Sequence, residues 1–591
     1  MIRVADYVMQ RLVQEGVHHL FMVTGRGMLY LSDAAAKEEG LTCVCPHHEQ
    51  AAAYAAMAYA QTTGGLGACM VSTGCAGTNA VTGVLCAWQD DIPCVFISGQ
   101  NTLKETVRHT KIPVRTFGQQ EADIVSVVAP ITRYAVMIED PARIAFELDK
   151  AFHLARSGRK GPVWIDIPLD IQNMRVEPEE LERFRPAEAA NRIAEADLAY
   201  AREQLEKAKR PVVLIGSGIR SAGAEDRLAQ LVERTDVPLV FSSSAADVFG
   251  TRNALSLGAV GTMGAGRAAN FAVQNADFVL AIGSRLTSMT VGNAPEKFAR
   301  AAKIMAVDID ENEFRKGTVR LDRAVKADAK VFLEKLGFPF RTPPEWVEKC
   351  RHWKEIFPRC EDFRRRNEKV DLYVLGDALS RVLPDDGIFV TDAGLEELIL
   401  PTTIAFGAEQ RCIQPASQGA MGYALPAAVG AFCAAGRTVV AATGDGSVMM
   451  NLQELQTIAH NRFPIKLLII NNNCYAVIRR RQKDLFRTRT VGTDATDGVS
   501  CPDFSKAAAC FGLPYERIEG PDGLEERLKE ILATDGPVIC EILSPEDQNY
   551  LHSSYARTAR GRFVQRPLED QSPYLDRELF LSEMIIDPID Q

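Results

Sequence analysis

The 591-residue sequence contains no long uninterrupted hydrophobic run. Its most apolar stretch, residues 423–436, is too short to cross a bilayer and is broken by glycine and proline. The opening residues 1–21 have neither the apolar core nor the small-residue cleavage site of a secretory signal, and their pattern predicts an amphipathic helix. These absences predict a cytoplasmic protein that does not bind membranes.

Cysteine and histidine spacings typical of a metal site are also missing. The 14 cysteines contain no Cys-x-x-Cys motif, and the nine histidines supply no matching ligand spacing. We therefore expect reduced thiols and no zinc. Basic residues are outnumbered, with 67 Lys and Arg against 77 Asp and Glu, a net charge of −10. With no long basic run, the chain is not expected to bind a nucleic acid polymer.

The sequence does show strand–helix alternation in three successive segments. Hydrophobic residues make up 46% and charged residues 24%, ordinary globular values that exclude a disordered or fibrous chain. Such alternation predicts an α/β protein of three serial doubly wound parallel-sheet domains. We place an N-terminal domain at 1–175, a central domain at 195–340, a third domain at 365–545 and a polar tail at 546–591, with a charged, proline-containing linker at 168–193.

The central segment carries part of a dinucleotide-binding pattern. Its apolar run PVVLIGSG (211–218) ends with Gly216 and Gly218. The third glycine is not where the pattern requires it, so a tight strand-to-helix turn explains this pair as well as a ligand does.

The strongest chemical signal lies at 444–473. An apolar run ends in a Gly-Asp-Gly-Ser turn containing Asp445, and the next apolar run ends in three asparagines that include Asn472. The strands of a βαβ unit are parallel, so these two side chains are expected to face one another at one sheet edge. Carboxylate and amide oxygens suit Mg²⁺, and the glycines let backbone amides approach a phosphate. Four apolar residues between the runs recur at helical spacing: Met449, Leu452, Leu455 and Ile458.

This motif resembles the signature of thiamine-diphosphate enzymes. The resemblance implies that Asp445, Asn472 and the backbone carbonyl of Cys474 ligate a Mg²⁺ that bridges the cofactor diphosphate. Residues 414–431 resemble the segment supporting the cofactor, with Met421 beneath it, although a methionine is equally suited to filling a core. The implied cofactor-binding residues are Glu49, Met421, Gly444, Asp445, Gly446, Ser447 and Asn472.

Residues 46–100 closely resemble the acetolactate synthase (acetohydroxyacid synthase) group of this family, and the resemblance extends over nearly the whole chain. Glu49 opens an Ala-rich helix, where an acid would also simply complement the helix dipole. In the group, the matching glutamate is catalytic. It hydrogen-bonds the aminopyrimidine ring and favours the tautomer whose nitrogen removes the proton from the thiazolium carbon. The group also implies a homodimer or homotetramer with active sites between subunits.

The implied activity is decarboxylation of a 2-keto acid, expected to be pyruvate, followed by carboligation of the two-carbon unit to a carbonyl acceptor. Three alternatives stay open: the same chemistry on a nucleotide-linked keto sugar, a simple decarboxylase or carbon–carbon lyase, and a non-catalytic cofactor-binding regulatory relative. Intact Glu49, Asp445 and Asn472 argue against the last. FAD is also left open, because both flavin-containing and flavin-free relatives carry segments similar to the central domain.

Several positions depart from the group and point to the substrate. Arg26 replaces a glycine after the first predicted strand, and a Gly-Cys-Ala-Gly turn at 74–77 replaces Gly-Pro-Gly. Arg481, in an arginine run at 479–481, replaces a bulky tryptophan. Such a run is either a solvated helical face or a carboxylate or phosphate site. We expect a larger, anionic acceptor, with four substrate-side candidates: Arg26, Cys75, Gln120 and Arg481.

Overall fold

The computed structural model describes residues 1–186, 192–486, 489–553, 555–557 and 563–589. Three six-stranded sheets follow one another along the chain, and every strand pairing within them is parallel. The predicted α/β class is thereby confirmed. Parts of the predicted linker (187–191) and of the predicted tail (554, 558–562 and 590–591) lie outside the described residues. The predicted domain limits stay predictions.

The first sheet is built from strands with apolar, mostly buried cores, and a short antiparallel pair, β1 with β8, lies beside it. The six strands of this sheet are β2 His19–Met22, β3 Thr42–Val44, β4 Gly67–Val71, β5 Cys94–Gln100, β6 Tyr134–Met137 and β7 Val163–Pro168, and the separate pair is β1 Ile2–Arg3 and β8 Arg175–Val176. Its helices are α1 Val4–Gln14, α2 Leu29–Lys37, α3 Glu49–Thr63, α4 Cys75–Gln89, α5 Val107–Thr110, α6 Ile124–Val128, α7 Ile144–Arg156 and α8 Leu169–Asn173.

The second sheet lies in the middle of the chain. Its strands are β9 Pro211–Ile215, β10 Leu239–Phe241, β11 Ser256–Ala259, β12 Phe278–Ile282, β13 Lys303–Asp308 and β14 Arg323–Lys326. The helices of this region are α9 Glu195–Lys207, α10 Gly218–Ser221, α11 Glu225–Thr235, α12 Arg267–Asn275, α13 Ser288–Val291, α14 Asn312–Arg315, α15 Ala329–Leu336 and α16 Pro344–Ile356.

The third sheet completes the series. Its strands are β15 Ile388–Thr391, β16 Arg411–Ile413, β17 Val439–Gly444, β18 Ile465–Asn471, β19 Tyr515–Ile518 and β20 Val538–Leu543. Its helices are α17 Leu372–Val382, α18 Leu395–Thr403, α19 Ala424–Ala435, α20 Glu454–Asn461, α21 Ala476–Leu485, α22 Phe504–Cys510 and α23 Leu524–Ala533. The tail adds β21 Tyr555–Arg557, β22 Phe563–Gln565 and α24 Arg577–Glu583.

Strand order shows where ligands can enter. The first sheet runs β3-β2-β4-β5-β7-β6 and the third runs β16-β15-β17-β18-β20-β19, which is the same permutation. The middle sheet runs β11-β10-β9-β12-β13-β14, the order of dinucleotide-binding folds. Parallel sheets open a crevice at the carboxyl ends of the strands where the order reverses. These points are β2/β4, β9/β12 and β15/β17.

Close packing of small residues joins the first and third domains. The Ala-rich helix α3 lies against α19, and both are almost fully buried in one shared apolar cluster. A Cβ built at Gly430 of α19 would lie 2.0 Å from the carbonyl oxygen of Ala55. Only glycine therefore permits the two helices to approach this closely.

Three local predictions need correction. Helix α1 ends at Gln14, and the second half of the predicted N-terminal helix is strand β2, because Gly16 adopts a left-handed φ of 83°. The start of the predicted linker forms α8 and β8 and belongs to the first domain. The helical spacing that starts at Met449 predicts a helix from that residue onward. The α-helix that follows β17, α20, begins only at Glu454, and Met449 lies before it with 41% of its surface exposed. Asn451 stabilises the turn between β17 and α20, because its side-chain Nδ2 donates to the Gly422 carbonyl at 2.8 Å.

The polar tail packs on the central domain. Arg267 donates to the Pro573 carbonyl at 2.6 Å, and Gln274 donates to Glu569 at 2.6 Å. Leu568 and Phe580 are buried in the apolar cluster beneath α12 and α16. Within the described ranges, no helix has both the length and the apolar character that crossing a bilayer requires.

A buried acid in the first sheet makes stability depend on pH. Asp166 of β7 is 1% exposed, and burial raises its pKa from 3.8 to about 7. Between these values the folded chain holds a proton that the unfolded chain releases, so we expect unfolding free energy to fall as pH rises from 4 to 7, by up to about 4 kcal/mol. Asp166→Asn should flatten that slope. Thermal unfolding of both proteins across this pH range, followed by circular dichroism, measures the difference, and parallel slopes would contradict the assignment.

Candidate active site

Glu49 lies at the carboxyl edge of the first sheet, immediately after the turn that follows β3. It is the first residue of α3, whose N-cap is His48; the His48 Nδ1 accepts from the Gln50 amide at 3.1 Å. The Glu49 carboxylate is partly exposed and accepts a hydrogen bond at 2.9 Å from Nδ2 of Asn79 on α4. The acid is thus held by a side chain from the neighbouring helix and still faces the crevice.

Three of the predicted substrate residues share this edge. Arg26 follows β2 and is exposed, and its guanidinium donates to the Gln119 side chain. Cys75 is the exposed first residue of α4, one helical turn before Asn79. Gln120 is exposed and adopts a left-handed φ of 62°. The first domain therefore places Arg26, Cys75 and Gln120 at the sheet edge that also carries Glu49.

Asp445 and Asn472 lie next to each other, as the parallel arrangement predicts. Asp445 directly follows β17 and Asn472 directly follows β18, and these two strands pair with Gly444 opposite Ile470. Backbone amides orient the side-chain oxygens. Asp445 accepts from Gly446 at 2.8 Å and from Asn473 at 2.6 Å, and Asn472 Oδ1 accepts from the Cys474 amide at 3.1 Å. A carboxylate and an amide oxygen fixed in this way suit a hard cation such as Mg²⁺.

Cys474 can ligate a metal ion through its backbone carbonyl more readily than through its sulfur. Its side chain is buried, and burial raises the pKa of the thiol to about 12, so a thiolate ligand is disfavoured. The carbonyl accepts one hydrogen bond, from the Ala476 amide at 3.0 Å, and keeps a second lone pair. Its role as a metal ligand stays a prediction.

A buried acidic cluster beside this pair was missed by sequence reasoning. Asp392, Glu396 and Glu397 follow β15, and a Cβ built at Gly444 would lie 2.6 Å from Oε1 of Glu396. Burial raises the pKa of Asp392 to about 6, and burial together with neighbouring carboxylates raises the pKa of both glutamates well above the usual range. Burial also raises the pKa of Asp445 to about 6. The only local signal was an acidic pair after a strand, in TDAGLEE (391–397).

Ser447 and Met421 lie in the same turn region. The Ser447 hydroxyl donates to Asp392 at 2.8 Å and accepts from the Gly422 amide at 2.9 Å. It therefore ties the Gly-Asp-Gly-Ser turn to the segment that contains Met421, which is half-buried at the crevice. The predicted cofactor support is thus adjacent to the predicted metal pair.

The arginine run divides into three different environments. Arg479 is buried and forms ion pairs with Asp494 at 3.2 Å and Asp547 at 3.0 Å, so it is neutralised within the fold. Arg480 lies over the Tyr550 ring at 5.1 Å. Arg481 is exposed and has no ion pair among the residues that the structure describes. Among the described residues, Arg479 and Arg480 both have side-chain partners, whereas no ion pair engages the exposed Arg481, which can therefore meet an anionic substrate.

A cavity of about 1050 Å³ occupies the β9/β12 crevice of the central domain. Glycine turns line one side, and a Cβ built at Gly216 would lie 2.2 Å from the Gly283 carbonyl oxygen, so these turns require glycine for their own packing. Lys160 of the first domain and the segment Arg411–Gly419 of the third close the other side. The volume suits a dinucleotide-sized ligand.

Comparison with known proteins identifies the class. Three models of thiamine pyrophosphate (thiamine diphosphate) enzymes match the chain: the N-terminal TPP binding domain at 2–127, the central domain at 198–336 and the C-terminal TPP binding domain at 392–542. The chain belongs to the thiamine pyrophosphate enzyme family. It is a thiamine-diphosphate-dependent enzyme of the transferase or lyase type, as the sequence predicted.

Within that family, the chain is similar to acetolactate synthases over nearly its whole length. It is 32% identical to the acetolactate synthase of Arthrospira platensis, with 91% of this chain and 93% of the relative covered. Identity to the acetolactate synthase isozyme 3 large subunit of Escherichia coli is 31%, covering 90% and 92%. The acetolactate synthase large subunit of Lactococcus lactis is also 31% identical, covering 93% of each chain. The predicted resemblance to this group is confirmed.

Proposed function

We propose that the protein decarboxylates pyruvate and transfers the two-carbon unit to a carbonyl acceptor, using thiamine diphosphate and Mg²⁺. The observation that carries this proposal is the retention of Glu49, Asp445 and Asn472 at carboxyl sheet edges, in a chain similar throughout to acetolactate synthases. Release of CO₂ from pyruvate by the protein loaded with thiamine diphosphate and Mg²⁺, with product identification by mass spectrometry, tests it. Absence of both CO₂ and a ligated product would contradict it.

The residues present fit the cofactor. Asp445 and Asn472 would hold Mg²⁺ against the diphosphate, since their oxygens are oriented by backbone amides and keep free lone pairs. Bound thiamine diphosphate supplies the electron sink for decarboxylation. Glu49 would hold or share a proton at the aminopyrimidine ring, with Asn79 orienting its carboxylate.

We further propose that the working form is a homodimer or homotetramer in which two chains complete each site. The loop before Gln120 supports this, because it exposes large apolar side chains: Ile112, Val114 and Phe117, each 45–46% exposed. Apolar groups beside a catalytic crevice are typical of a covered interface. Light scattering of the purified protein measures the assembly, and a monomer with full activity would contradict it.

Two exposed arginines favour an anionic acceptor. A 2-keto acid and a nucleotide-linked keto sugar are both acceptors of this kind. Among the described residues, the Arg26 guanidinium meets only the neutral Gln119 amide, and Arg481 has no ion pair. Guanidinium groups in this state are ready to pair with a carboxylate or phosphate. Product analysis with pyruvate alone, with 2-oxobutanoate and with a nucleotide-linked keto sugar separates the candidates; acetaldehyde from pyruvate alone would instead indicate a simple decarboxylase.

Removing the Arg481 cation should weaken binding of the anionic acceptor. We expect Arg481→Ala to raise the KM for 2-oxobutanoate about tenfold, the equivalent of one lost charge-assisted contact. The KM for acetaldehyde, a neutral acceptor, should change much less. The matched control is Arg315→Ala, an exposed arginine on α14 of the central domain. An unchanged KM for 2-oxobutanoate would remove Arg481 from the site.

We propose that the central cavity binds FAD. Its size and its position at the reversal of a dinucleotide-type strand order support this assignment. Lys160 lines the cavity and has no hydrogen-bond or ion-pair partner among the described residues, so it can meet a phosphate. We expect Lys160→Glu to release bound FAD and Lys330→Glu, at an exposed position near the start of α15, to retain it. Flavin fluorescence of the desalted proteins is the measurement, and a wild-type chain that takes up no FAD would overturn the assignment.

A further inference from the structure

A chain of buried hydrogen bonds runs through the first sheet toward the substrate edge. It begins at Asp166 of β7, whose carboxyl oxygens accept from the Ser98 hydroxyl at 2.6 Å and from Nε2 of Gln100 at 3.2 Å. Ser98 in turn accepts from the Trp164 indole at 2.8 Å. Gln100, the last residue of β5, is 2% exposed and stands at the point where the chain leaves the sheet.

Gln100 is the centre of this network. Its Oε1 accepts from the Thr73 hydroxyl at 2.7 Å and from the Asn101 amide at 3.0 Å. Its Nε2 also donates to the Ala122 carbonyl at 3.0 Å. All of its donors and acceptors are used, and they connect the end of β4, the end of β5 and the loop that carries Gln120. Both lone pairs and both amide hydrogens have partners, so the side-chain orientation is determined.

The partners of Gln100 hold the loop in place. Asn101 Nδ2 donates to the Gln119 carbonyl at 2.9 Å, and the Gln119 side chain accepts from Arg26. A Cβ built at Gly74 would lie 2.2 Å from the Gln120 carbonyl oxygen, so the loop rests directly on the turn before Cys75. Gln120 keeps a left-handed φ there, a conformation that a non-glycine residue holds only when its surroundings impose it.

We propose that Gln100 is a positioning residue that fixes Arg26, Gln119 and Gln120 for the acceptor substrate. It is buried behind the edge and acts through Thr73, Asn101 and Ala122. Glu49 belongs to a different set of contacts, through Asn79 of α4. Loss of Gln100 should therefore weaken acceptor binding and spare proton removal from the cofactor. This inference rests on the proposed function and assigns part of its specificity to one side chain.

The decisive variant is Gln100→Met, which keeps side-chain length and removes the side-chain hydrogen bonds of Gln100. We expect the KM for 2-oxobutanoate to rise about tenfold or more, as several loop contacts are lost together. The KM for acetaldehyde should change less, because a neutral acceptor makes no ion pair with Arg26. Hydrogen–deuterium exchange at the reactive carbon of bound thiamine diphosphate should stay within about twofold of wild type, since Glu49 is untouched.

Gln274→Met is the matched control. Gln274 is a fully buried glutamine of the central domain that also joins backbone and side-chain partners. Gln274→Met should lower thermal stability and leave the KM for 2-oxobutanoate unchanged. A KM shift of equal size in both variants, or a Gln100→Met variant with an unchanged KM, would overturn the proposal.

A surface variant covers the case in which Gln100→Met does not fold. Gln119→Ala removes the exposed partner of Arg26 and should reproduce part of the KM increase, again with cofactor proton exchange retained. An unchanged KM for 2-oxobutanoate in Gln119→Ala would also overturn the proposal. Wild-type protein without any cofactor proton exchange would refute the proposed function itself, which is a separate outcome.

Discussion

Glu49→Gln is expected to abolish proton exchange at the reactive carbon of bound thiamine diphosphate. The amide cannot give or take the proton that the carboxyl shares with the aminopyrimidine ring, and loss of such a group slows proton transfer on the order of 10³-fold. The variant should still bind Mg²⁺ and the cofactor diphosphate, because Glu49 lies in the first domain and the metal pair in the third. Exchange is followed by NMR after acid quench of the holoenzyme in deuterated buffer.

Glu39→Gln is the control for this experiment. Glu39 is exposed and precedes β3, whereas Glu49 follows it, so the two acids lie toward opposite ends of the same strand. Glu39→Gln should exchange at the wild-type rate. Normal exchange in Glu49→Gln would refute the assignment of Glu49 and would leave the metal pair to be judged independently.

Asp445→Asn should lose Mg²⁺-dependent binding of thiamine diphosphate. The substitution preserves a side-chain oxygen that can accept a hydrogen bond from a backbone amide. It removes the negative charge, which only Asp445 contributes to the proposed metal pair. We expect cofactor affinity in the presence of Mg²⁺ to fall at least about 100-fold, since the amide no longer balances the cation. Isothermal titration calorimetry with and without Mg²⁺ measures the effect, and chelation of Mg²⁺ from the wild-type protein should produce the same loss.

The appropriate control replaces an acid that caps a helix and belongs to no predicted site. Asp503 is the N-cap of α22 and accepts from the Ser505 amide at 3.0 Å. Asp503→Asn should bind thiamine diphosphate as the wild type does. If Asp445→Asn bound the cofactor with unchanged, Mg²⁺-dependent affinity, the metal ligands would have to be sought among other residues.

Local sequence patterns were sufficient to predict those strands whose formation depends on residues close together in the chain. The apolar runs before Asp445 and Asn472 form β17 and β18 at the predicted places. A parallel strand buried on both faces must be apolar along its length, and its end is marked by glycine or a polar residue. Helix boundaries were less accurate. The spacing that began at Met449 continues into α20, but the turn between them is stabilised by contacts with Gly422, which is distant in sequence.

The charge of a residue in the sequence did not show whether that residue is available to bind a substrate, because availability depends on its position in the fold. Arg479 and Arg481 look equivalent in the run of three, yet one is buried among carboxylates and the other is exposed. Asp494 and Asp547, the partners of Arg479, come from two later segments. Nothing within a few residues of the run distinguishes a structural arginine from an available one, because the free energy of an ion pair depends on burial and on partners.

The amino-acid sequence by itself determined the α/β class, the placement of Asp445 and Asn472 at neighbouring strand ends, and the family to which the chain belongs. These depend on local hydrophobic periodicity and on short motifs. Only the tertiary structure decided that Gln100 joins the ends of β4 and β5 to the loop that carries Gln120, that Glu396 lies beneath Gly444, and that a cavity opens between β9 and β12. Those features require segments far apart in the chain to meet, and hydrogen bonding and burial at such meeting points are set by the packing of the whole molecule.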